Sequence, residues 1–167
     1  MKQNEKKWYA VYVAPRAEKK VSERFTSLGI EHYLPLQKVK RIWSDRVKEV
    51  IVPVVNGYIF VKINEDDFKK VVNVYGALNF VSERGNPVSI PENQIAILQL
   101  MVDKAEEVVE FSNEQFDKGE SIIITKGPLE GLLGELVEMK GSYKVLVRLE
   151  KLGCALTTVP KSFVKKL

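Results

Sequence analysis

Pro53–Val61 reads PVVNGYIFV, an almost uninterrupted apolar stretch that is rich in β-branched and aromatic residues. Asn56-Gly57 lies inside it, and Asn-Gly favours a tight turn that needs a positive φ. The pattern therefore predicts a turn that leads into a strand at Tyr58–Ile63. Because this strand is apolar on both faces, we expect one face to pack in the core. The other face should be covered by a helix or by another protein.

The chain before this strand predicts a strand followed by an amphipathic helix. Trp8–Val13 is uncharged and rich in strand-forming residues, which indicates a central strand. Ala17–Leu28 has apolar residues at intervals typical of one helix face, and the other face is basic. We expect Pro15 at the first helical position and Gly29 just after the last one.

The next part of the chain predicts a hairpin and then further helices and strands. Glu31–Trp43 and Arg46–Val55 alternate loosely around the turn pair Ser44-Asp45, which predicts a hairpin that projects basic residues. The later elements are a short helix, a short strand and a longer helix: Glu65–Val74, Leu78–Val81 and Pro91 to about Lys104. This order predicts an α+β domain over residues 1–105, with a mostly antiparallel sheet flanked by helices.

The last third of the chain has a different pattern. Residues 106–118 are acidic without a core pattern and are interpreted as a linker. From Gly119 the chain predicts five short strands with tight turns, a small all-β barrel over residues 119–167. Four of these strands are assigned to Ser121–Thr125, Gly131–Lys140, Tyr143–Leu149 and Cys154–Val159.

The net charge of +4 is unevenly distributed. Residues 1–48 carry +7, residues 49–102 carry −2, residues 103–120 carry −5 and residues 121–167 carry +4. This asymmetry indicates separate surfaces for different partners. No apolar run is long enough for a membrane span, and the charged N-terminus lacks the apolar region of a signal peptide. We therefore expect a cytoplasmic protein without a membrane partner.

Catalytic and metal-binding motifs are missing from the sequence. His32 is the only histidine and Cys154 the only cysteine. A nucleophilic triad would have to use these two residues, and a zinc site needs about four such ligands. We expect no enzyme activity, no metal and no cofactor.

Three motifs occur together, in order: WYAVYV before a basic helix, NGYIFVKI, and GESIIITKGPLEGLLGEL. Together they resemble the NusG family of transcription elongation and antitermination factors. Residues 1–105 are similar to the NusG N-terminal domain, and residues 119–167 to its KOW barrel. The basic hairpin and the short chain are similar to those of specialised paralogues, the RfaH type and the UpxY-type antiterminators.

The resemblance implies binding to the clamp helices of RNA polymerase through an apolar patch. The matching residues here are Tyr58 and Phe60, with Val55 and Ile95 beside them. Tyr58 and Phe60 lie on one strand face, and aromatic anchors are favoured at the centre of interfaces. The alternative is that both rings belong to the core. On the first interpretation, Tyr58→Ala with Phe60→Ala abolishes polymerase binding and leaves the fold intact.

The resemblance also implies contact with upstream or non-template DNA in the transcription bubble. The matching residues are Arg16, Lys19, Lys20 and Arg24, which would bind phosphates without reading sequence. The alternative is an ordinary solvated helix face.

A second polymerase contact is implied for Lys69, Lys70 and Asn73, although the corresponding family motif is not matched there.

In the family the KOW barrel recruits a second partner, a ribosomal protein of the small subunit or Rho. The matching loop holds Leu129, Leu132 and Leu133 in place of phenylalanines, and these leucines could instead close the barrel. We expect a monomer whose second domain does not switch fold.

A different class of function also fits the pattern. KOW barrels occur in ribosomal proteins, and the basic hairpin Lys38–Lys48 could grip RNA. Comparing binding to RNA alone with binding to core polymerase would separate an RNA-binding module from an elongation factor.

Overall fold

The computed structural model describes residues 5–139, 141–149 and 151–167. These residues form mostly antiparallel strands with three α-helices. The helices are α1 (Glu18–Ser27), α2 (Phe68–Val72) and α3 (Glu92–Lys104). The strands are β1 (Lys7–Val13), β2 (His32–Tyr33), β3 (Leu36–Trp43), β4 (Arg46–Pro53), β5 (Tyr58–Ile63), β6 (Ala77–Phe80), β7 (Ser82–Glu83), β8 (Asn86–Pro87), β9 (Ser89–Ile90), β10 (Val109–Ser112), β11 (Glu120–Ile124), β12 (Leu133–Met139), β13 (Ser142–Leu149), β14 (Gly153–Thr158) and β15 (Val164–Lys166).

The chain divides into two compact units. The first comprises the described residues up to Pro35 together with Val55–Ile95, and the second comprises Leu36–Val54 with Ala96–Leu167. None of the helices described is long and apolar enough to cross a membrane. The domain bounds inferred from sequence, 1–105 and 119–167, stay a prediction.

The sheet of the first unit is built around β1. This strand pairs with β5 on one side and with β6 and β9 on the other, and β2 pairs with the outer edge of β5. All of these pairings are antiparallel. Apart from Lys7 the sequence of β1 is uncharged, which suits this central position, and the predictions of strands at Trp8–Val13 and Tyr58–Ile63 are confirmed.

The main core of the first unit lies between one face of this sheet and the helices α1 and α2. Tyr9, Val11, Ile59 and Val61 alternate along β1 and β5, so their side chains share that face. A T-shaped ring contact joins Tyr9 to Phe68, with ring centroids 5.0 Å apart. The other members of this core are Val13, Val21, Phe25, Ile30, Ile63, Val71, Val74, Ala77 and Phe80.

Helix α1 begins later than the sequence predicts. The expectation of Pro15 at the first helical position is wrong, because Arg16 has a φ of 63° and the helix begins only at Glu18. A left-handed residue cannot be part of a right-handed helix. The end is as predicted: Gly29 has a φ of 69°, and the N–H of Ile30 donates to the carbonyl of Phe25 at 2.9 Å.

The first turn of α1 holds the predicted turn at Asn56-Gly57 in place. Glu18 is 6% exposed, and its carboxylate accepts a hydrogen bond from the N–H of Gly57 at 3.2 Å. The N–H of Val13 donates to the carbonyl of Gly57 at 2.9 Å. Gly57 has a φ of 84°, the conformation for which glycine is favoured. The turn is thus fixed to both β1 and α1.

The second unit contains a six-stranded antiparallel sheet in the order β10-β14-β13-β12-β11-β15. Two of these strands differ from the sequence-based prediction. Strand β10 lies in residues 106–118, predicted as a linker, and pairs with β14, while β15 was not predicted. The sheet ends at β10 and β15, and no pairing among the described residues closes it into the predicted barrel.

The predicted hairpin is present as a two-stranded ribbon formed by β3 and β4. Leu36 pairs with Pro53 at the base of the ribbon, and Trp43 pairs with Arg46 at its tip, next to the turn at Ser44-Asp45. The short strands β7 and β8 form a second two-stranded pair.

A charged cluster joins the segment before β11 to the sheet of the second unit. Arg148 donates to Glu135 from Nε to Oε2 at 2.6 Å and from Nη2 to Oε1 at 3.1 Å. Glu135 also accepts a hydrogen bond from the N–H of Gly119, and Arg148 donates to the carbonyl of Phe116. The hydrogen bond from Arg148 is the main reason that the pKa of Glu135 is lowered, and it outweighs the raising effect of burial.

We predict that Glu135→Gln lowers the free energy of unfolding at pH 7 by about 1–3 kcal/mol, because a charge-assisted pair is removed. The folded-state pKa of Glu135 is depressed, so its contribution is present above the unfolded pKa of about 4.3 and disappears as the pH falls through the folded pKa. Urea unfolding of both proteins between about pH 7 and pH 3 should therefore show two stability curves that converge at low pH. Parallel curves would contradict this prediction.

Candidate functional site

One face of the β1–β5 pair presents two tyrosines. The register places Tyr12 opposite Tyr58 and Ala10 opposite Phe60, so Tyr12, Tyr58 and Phe60 share the face that points away from the main core. The rings of Tyr12 and Tyr58 lie 4.9 Å apart at 40°. Burial is the main cause of the raised pKa of Tyr58, and its hydrogen bond with Tyr12 adds to it. Tyr12 is 41% exposed and Tyr58 is half-buried, so this pair is accessible to a partner.

The other residues predicted for this surface are buried. Phe60 and Val55 are both 0% exposed, and Ile95 is 2% exposed. Phe60 stacks against Tyr33, with ring centroids 6.3 Å apart. Phe60 therefore fits the alternative interpretation, in which its ring belongs to the core. Tyr58 is still accessible to a partner. The expectation that Tyr58 and Phe60 can both be replaced without loss of the fold is not supported by this burial.

The predicted nucleic-acid residues do not form a single helix face. Arg16 precedes α1, and Lys19 and Lys20 are exposed in its first turns. Arg24 is directed elsewhere: its Nη1 donates to the carbonyl of Tyr75 at 2.7 Å, and its guanidinium lies 5.0 Å from the centroid of the Tyr75 ring. Arg16, Lys19 and Lys20 are thus the solvent-facing cations of this set.

Arg24 instead contributes to an open groove between α1 and the end of α2. The groove has a volume of about 720 Å³ and is also lined by Leu28, Lys70, Asn73 and Tyr75. It brings Arg24 together with two of the three residues predicted for a second polymerase contact, and Lys70 Nζ donates to the carbonyl of Leu28 at 3.3 Å. Lys69 is exposed but is not among the residues that line the groove.

The sequence analysis did not identify Tyr75, which is 82% exposed beside this groove. The following Gly76 has a φ of 95°, and a Cβ on it would lie 2.7 Å from Cγ2 of Val21. The close packing of Gly76 against α1 is what places Tyr75 within reach of Arg24. A tyrosine directly before a glycine was the available signal, but the long-range contact was not visible in it.

The three leucines predicted to bind a second partner have different environments. Leu129 and Leu132 are each 4% exposed, whereas Leu133 is 57% exposed at the start of β12. Leu129 also lines a cavity of about 260 Å³ together with Lys126, Pro128 and Phe163. The first two leucines thus contribute to packing in the second unit, and only Leu133 presents an apolar side chain to solvent.

Comparison with known proteins identifies relatives over most of the chain. Residues 6–99 match the family model described as "Transcription termination factor nusG". The "Transcription termination/antitermination protein NusG" of Rickettsia felis is 28% identical over 162 residues, which cover 86% of this chain and 82% of that protein. The corresponding protein of Rickettsia prowazekii is 27% identical over 147 residues, which cover 80% of this chain and 74% of that protein.

A solved structure has a similar fold. It is described as "Domain interaction in Thermotoga maritima NusG" and aligns with a TM-score of 0.59 and 22% sequence identity. The alignment covers 97% of each chain. The mostly antiparallel architecture is therefore shared along nearly the whole length.

We predict that Phe60→Ala lowers the free energy of unfolding by about 3–5 kcal/mol, because it removes a fully buried ring and leaves a cavity. Tyr58→Ala replaces a half-buried residue of the same strand and should lower the free energy of unfolding clearly less. Chemical denaturation of the two single variants beside the wild type measures the difference. Equal losses of stability for the two variants would contradict the placement of Phe60 in the core and Tyr58 at the surface.

Proposed function

The chain belongs to the NusG family of transcription factors, and from this premise we propose that it is a non-catalytic elongation and antitermination factor. In this proposal its first unit binds the clamp helices of RNA polymerase and thereby suppresses pausing or termination. The match of residues 6–99 to the family model is the observation that carries the proposal. Because the relatives are bacterial transcription proteins, we propose that it acts in the cytoplasm.

The proposed clamp contact centres on the tyrosine pair, Tyr12 and Tyr58. The pair supports this role because its rings lie 4.9 Å apart on adjacent strands and are accessible from solvent. Rigid aromatic side chains supply contact area at little entropic cost, which favours them in interfaces. Phe60 would support the pair from within the sheet, Val55 from the segment before β5, and Ile95 from α3.

Two further surfaces of the first unit would complete the contact with the transcription complex. Arg16, Lys19 and Lys20 would neutralise phosphates of the upstream or non-template DNA, a role that their charge and exposure support. The groove that contains Arg24, Lys70 and Asn73 would meet the opposite side of the polymerase cleft, with Lys69 at its margin. Tyr75 adds an exposed aromatic ring to that surface.

The second unit would recruit a further partner, for which we propose the small-subunit ribosomal protein or Rho that other family members contact. We propose that its six-stranded sheet is a KOW-type domain. Leu133 supports the recruitment role because it is the exposed member of the leucine-rich loop, with Leu129 and Leu132 packed behind it.

We predict that Tyr12→Ala with Tyr58→Ala weakens binding to core RNA polymerase at least about 30-fold, since the loss of even one aromatic anchor at an interface centre costs about 2 kcal/mol or more. Co-purification followed by a binding titration measures this effect. Leu78→Ala is the control, because Leu78 is an exposed apolar residue in another strand of the same sheet. All proteins are first compared by thermal unfolding. Retention of the folded double variant at wild-type affinity would overturn the proposed contact.

We predict that Arg16→Gln with Lys20→Gln weakens binding to a DNA bubble template and reduces the salt dependence of that binding. The slope of log K against log salt should decrease by about 0.7–0.9 for each phosphate that the variant no longer neutralises. Lys165→Gln with Lys166→Gln removes the same charge from exposed positions in the second unit and is the matched control. An unchanged slope in the first variant would indicate an ordinary solvated surface.

A further inference from the structure

The ribbon formed by β3 and β4 exposes its outer half to solvent on both faces. From Lys40 to Glu49 every residue is exposed, and Ile42 is 81% exposed. A two-stranded ribbon whose tip is exposed gains little stability from its own pairing. Packing therefore does not explain the amino-acid composition of the tip.

The charges of the ribbon are sorted between its two faces. The pairing register and the alternation of side chains place Trp43 on one face with three cations and, among the paired residues, no acid; the nearest acid in the chain is Asp45 in the turn. We call this the cationic face, and at the tip it consists of Arg41, Trp43, Arg46 and Lys48. The opposite face has Lys38 and Lys40, but it also contains Glu49.

The two faces differ in how their charges are compensated. On the opposite face Lys40 lies across from Glu49, and Lys38 Nζ is 3.8 Å from Glu49 Oε1. On the cationic face Arg41 lies directly across from Lys48, and like charges in that position are destabilising. Such a pair gains from an added anion, which would relieve the repulsion.

Trp43 lies at the centre of this positive potential. Its indole is 43% exposed, and the Arg46 guanidinium and the Lys48 ammonium lie 5.2 Å and 5.8 Å from the ring centroid. A flat aromatic surface surrounded by cations has the two features that single-stranded nucleic acids require, a stacking surface for a base and positive charge for the phosphates. An acidic peptide would match the charge and make no use of the ring.

The base of the ribbon is held by a pair of hydrogen bonds within the second unit. Gln37 Nε2 donates to the carbonyl of Val109 at 2.8 Å, and its Oε1 accepts from the N–H of Val109 at 2.9 Å. This amide contact fixes β3 to β10 and leaves the tip as an extension of a fixed base. A surface supported in this way loses less conformational freedom on binding.

We propose that the cationic face of the ribbon binds a single-stranded polynucleotide, with a base stacked on Trp43 and phosphates on Arg41, Arg46 and Lys48. The phosphate charge and the planar base are common to RNA and DNA, so the chemistry of the face accepts either. A duplex fits less well because its bases are already stacked on one another. This site lies in the second unit, uses none of the cations near α1 and does not depend on polymerase binding.

The test measures the fluorescence anisotropy of labelled oligomers of about 12 nucleotides with the full chain. The oligomers are single-stranded RNA, single-stranded DNA and a DNA duplex, and every protein carries Arg16→Gln and Lys20→Gln to remove the other proposed nucleic-acid site. Trp43→Ala should weaken single-strand binding about 5- to 100-fold. Arg41→Gln with Lys48→Gln should lower the salt slope by about 1.4, at about 0.7 for each of two phosphates that are no longer neutralised.

The matched control is Lys38→Gln with Lys40→Gln, which removes the same charge from the other face of the same ribbon. Its affinity should stay near that of the parent. Thermal unfolding separates binding from structure, because removal of the like-charged pair Arg41 and Lys48 should leave the melting temperature unchanged or raise it.

The proposal would be overturned if the protein showed no saturable binding or bound the duplex more tightly than the single strands. It would also be overturned if Trp43→Ala bound with unchanged affinity, or if the variants of both ribbon faces weakened binding equally. Displacement of the oligomer by polyglutamate at equal charge concentration would also overturn it and would favour an acidic protein as the partner. Tighter binding of RNA than of DNA would support the proposal with a transcript as the occupant, and the reverse order would support it with an unpaired DNA strand.

Discussion

The antiparallel pairing of β1 with β5 is the constraint on which the first unit depends. β1 is central in its sheet, and its register with β5 decides which side chains enter the core and which face outward. The turn before β5 is held by Gly57, which donates to Glu18 and accepts from Val13. A shift of one residue in this register would turn Tyr58 and Phe60 into the main core in place of Ile59 and Val61. The hydrogen bond from Gly57 to the buried carboxylate of Glu18 fixes the turn and thereby helps to fix the register.

The same alternation explains why the candidate partner surface is small. Among the residues on the outer face of the pair, Phe60 is buried and stacked on Tyr33, whereas Tyr12 and Tyr58 are accessible. A strand that is apolar on both faces thus serves the fold along most of its length and offers contact area at one end. A substitution of Tyr58 can therefore test binding without a large loss of stability, whereas a substitution of Phe60 cannot.

In the second unit, charge has two opposite roles. Glu135 and Arg148 neutralise each other and join the segment near Phe116 to the sheet, which stabilises the fold. Arg41 and Lys48 face each other across the ribbon without an acid on their face, an arrangement that costs stability in the free protein. Charges that cost stability in isolation are expected where a partner of opposite charge binds.

Local patterns in the sequence determined the elements. The uncharged run before Pro15, the four-residue spacing in α1, the Asn56-Gly57 turn and the alternation of the β3–β4 hairpin each follow from backbone preferences within a few residues. For the same reason the basic hairpin could be inferred without a structure. The family resemblance could also be inferred, because its motifs are contiguous.

Long-range contacts decided the remainder. Strand β10 could not be inferred, because an acidic segment becomes a strand only when β14 and Gln37 supply its backbone partners. Leu129 and Phe60 are buried, whereas Leu133 is exposed and Tyr58 is half-buried, although the two residues of each pair are chemically similar. Tyr75 and Arg24 are 51 residues apart and meet only because Gly76 packs on α1. The sequence by itself thus determined most of the segments that form strands and helices, but not β10 or β15. Tertiary structure decided which of their side chains are exposed, since exposure depends on residues that are distant in the chain.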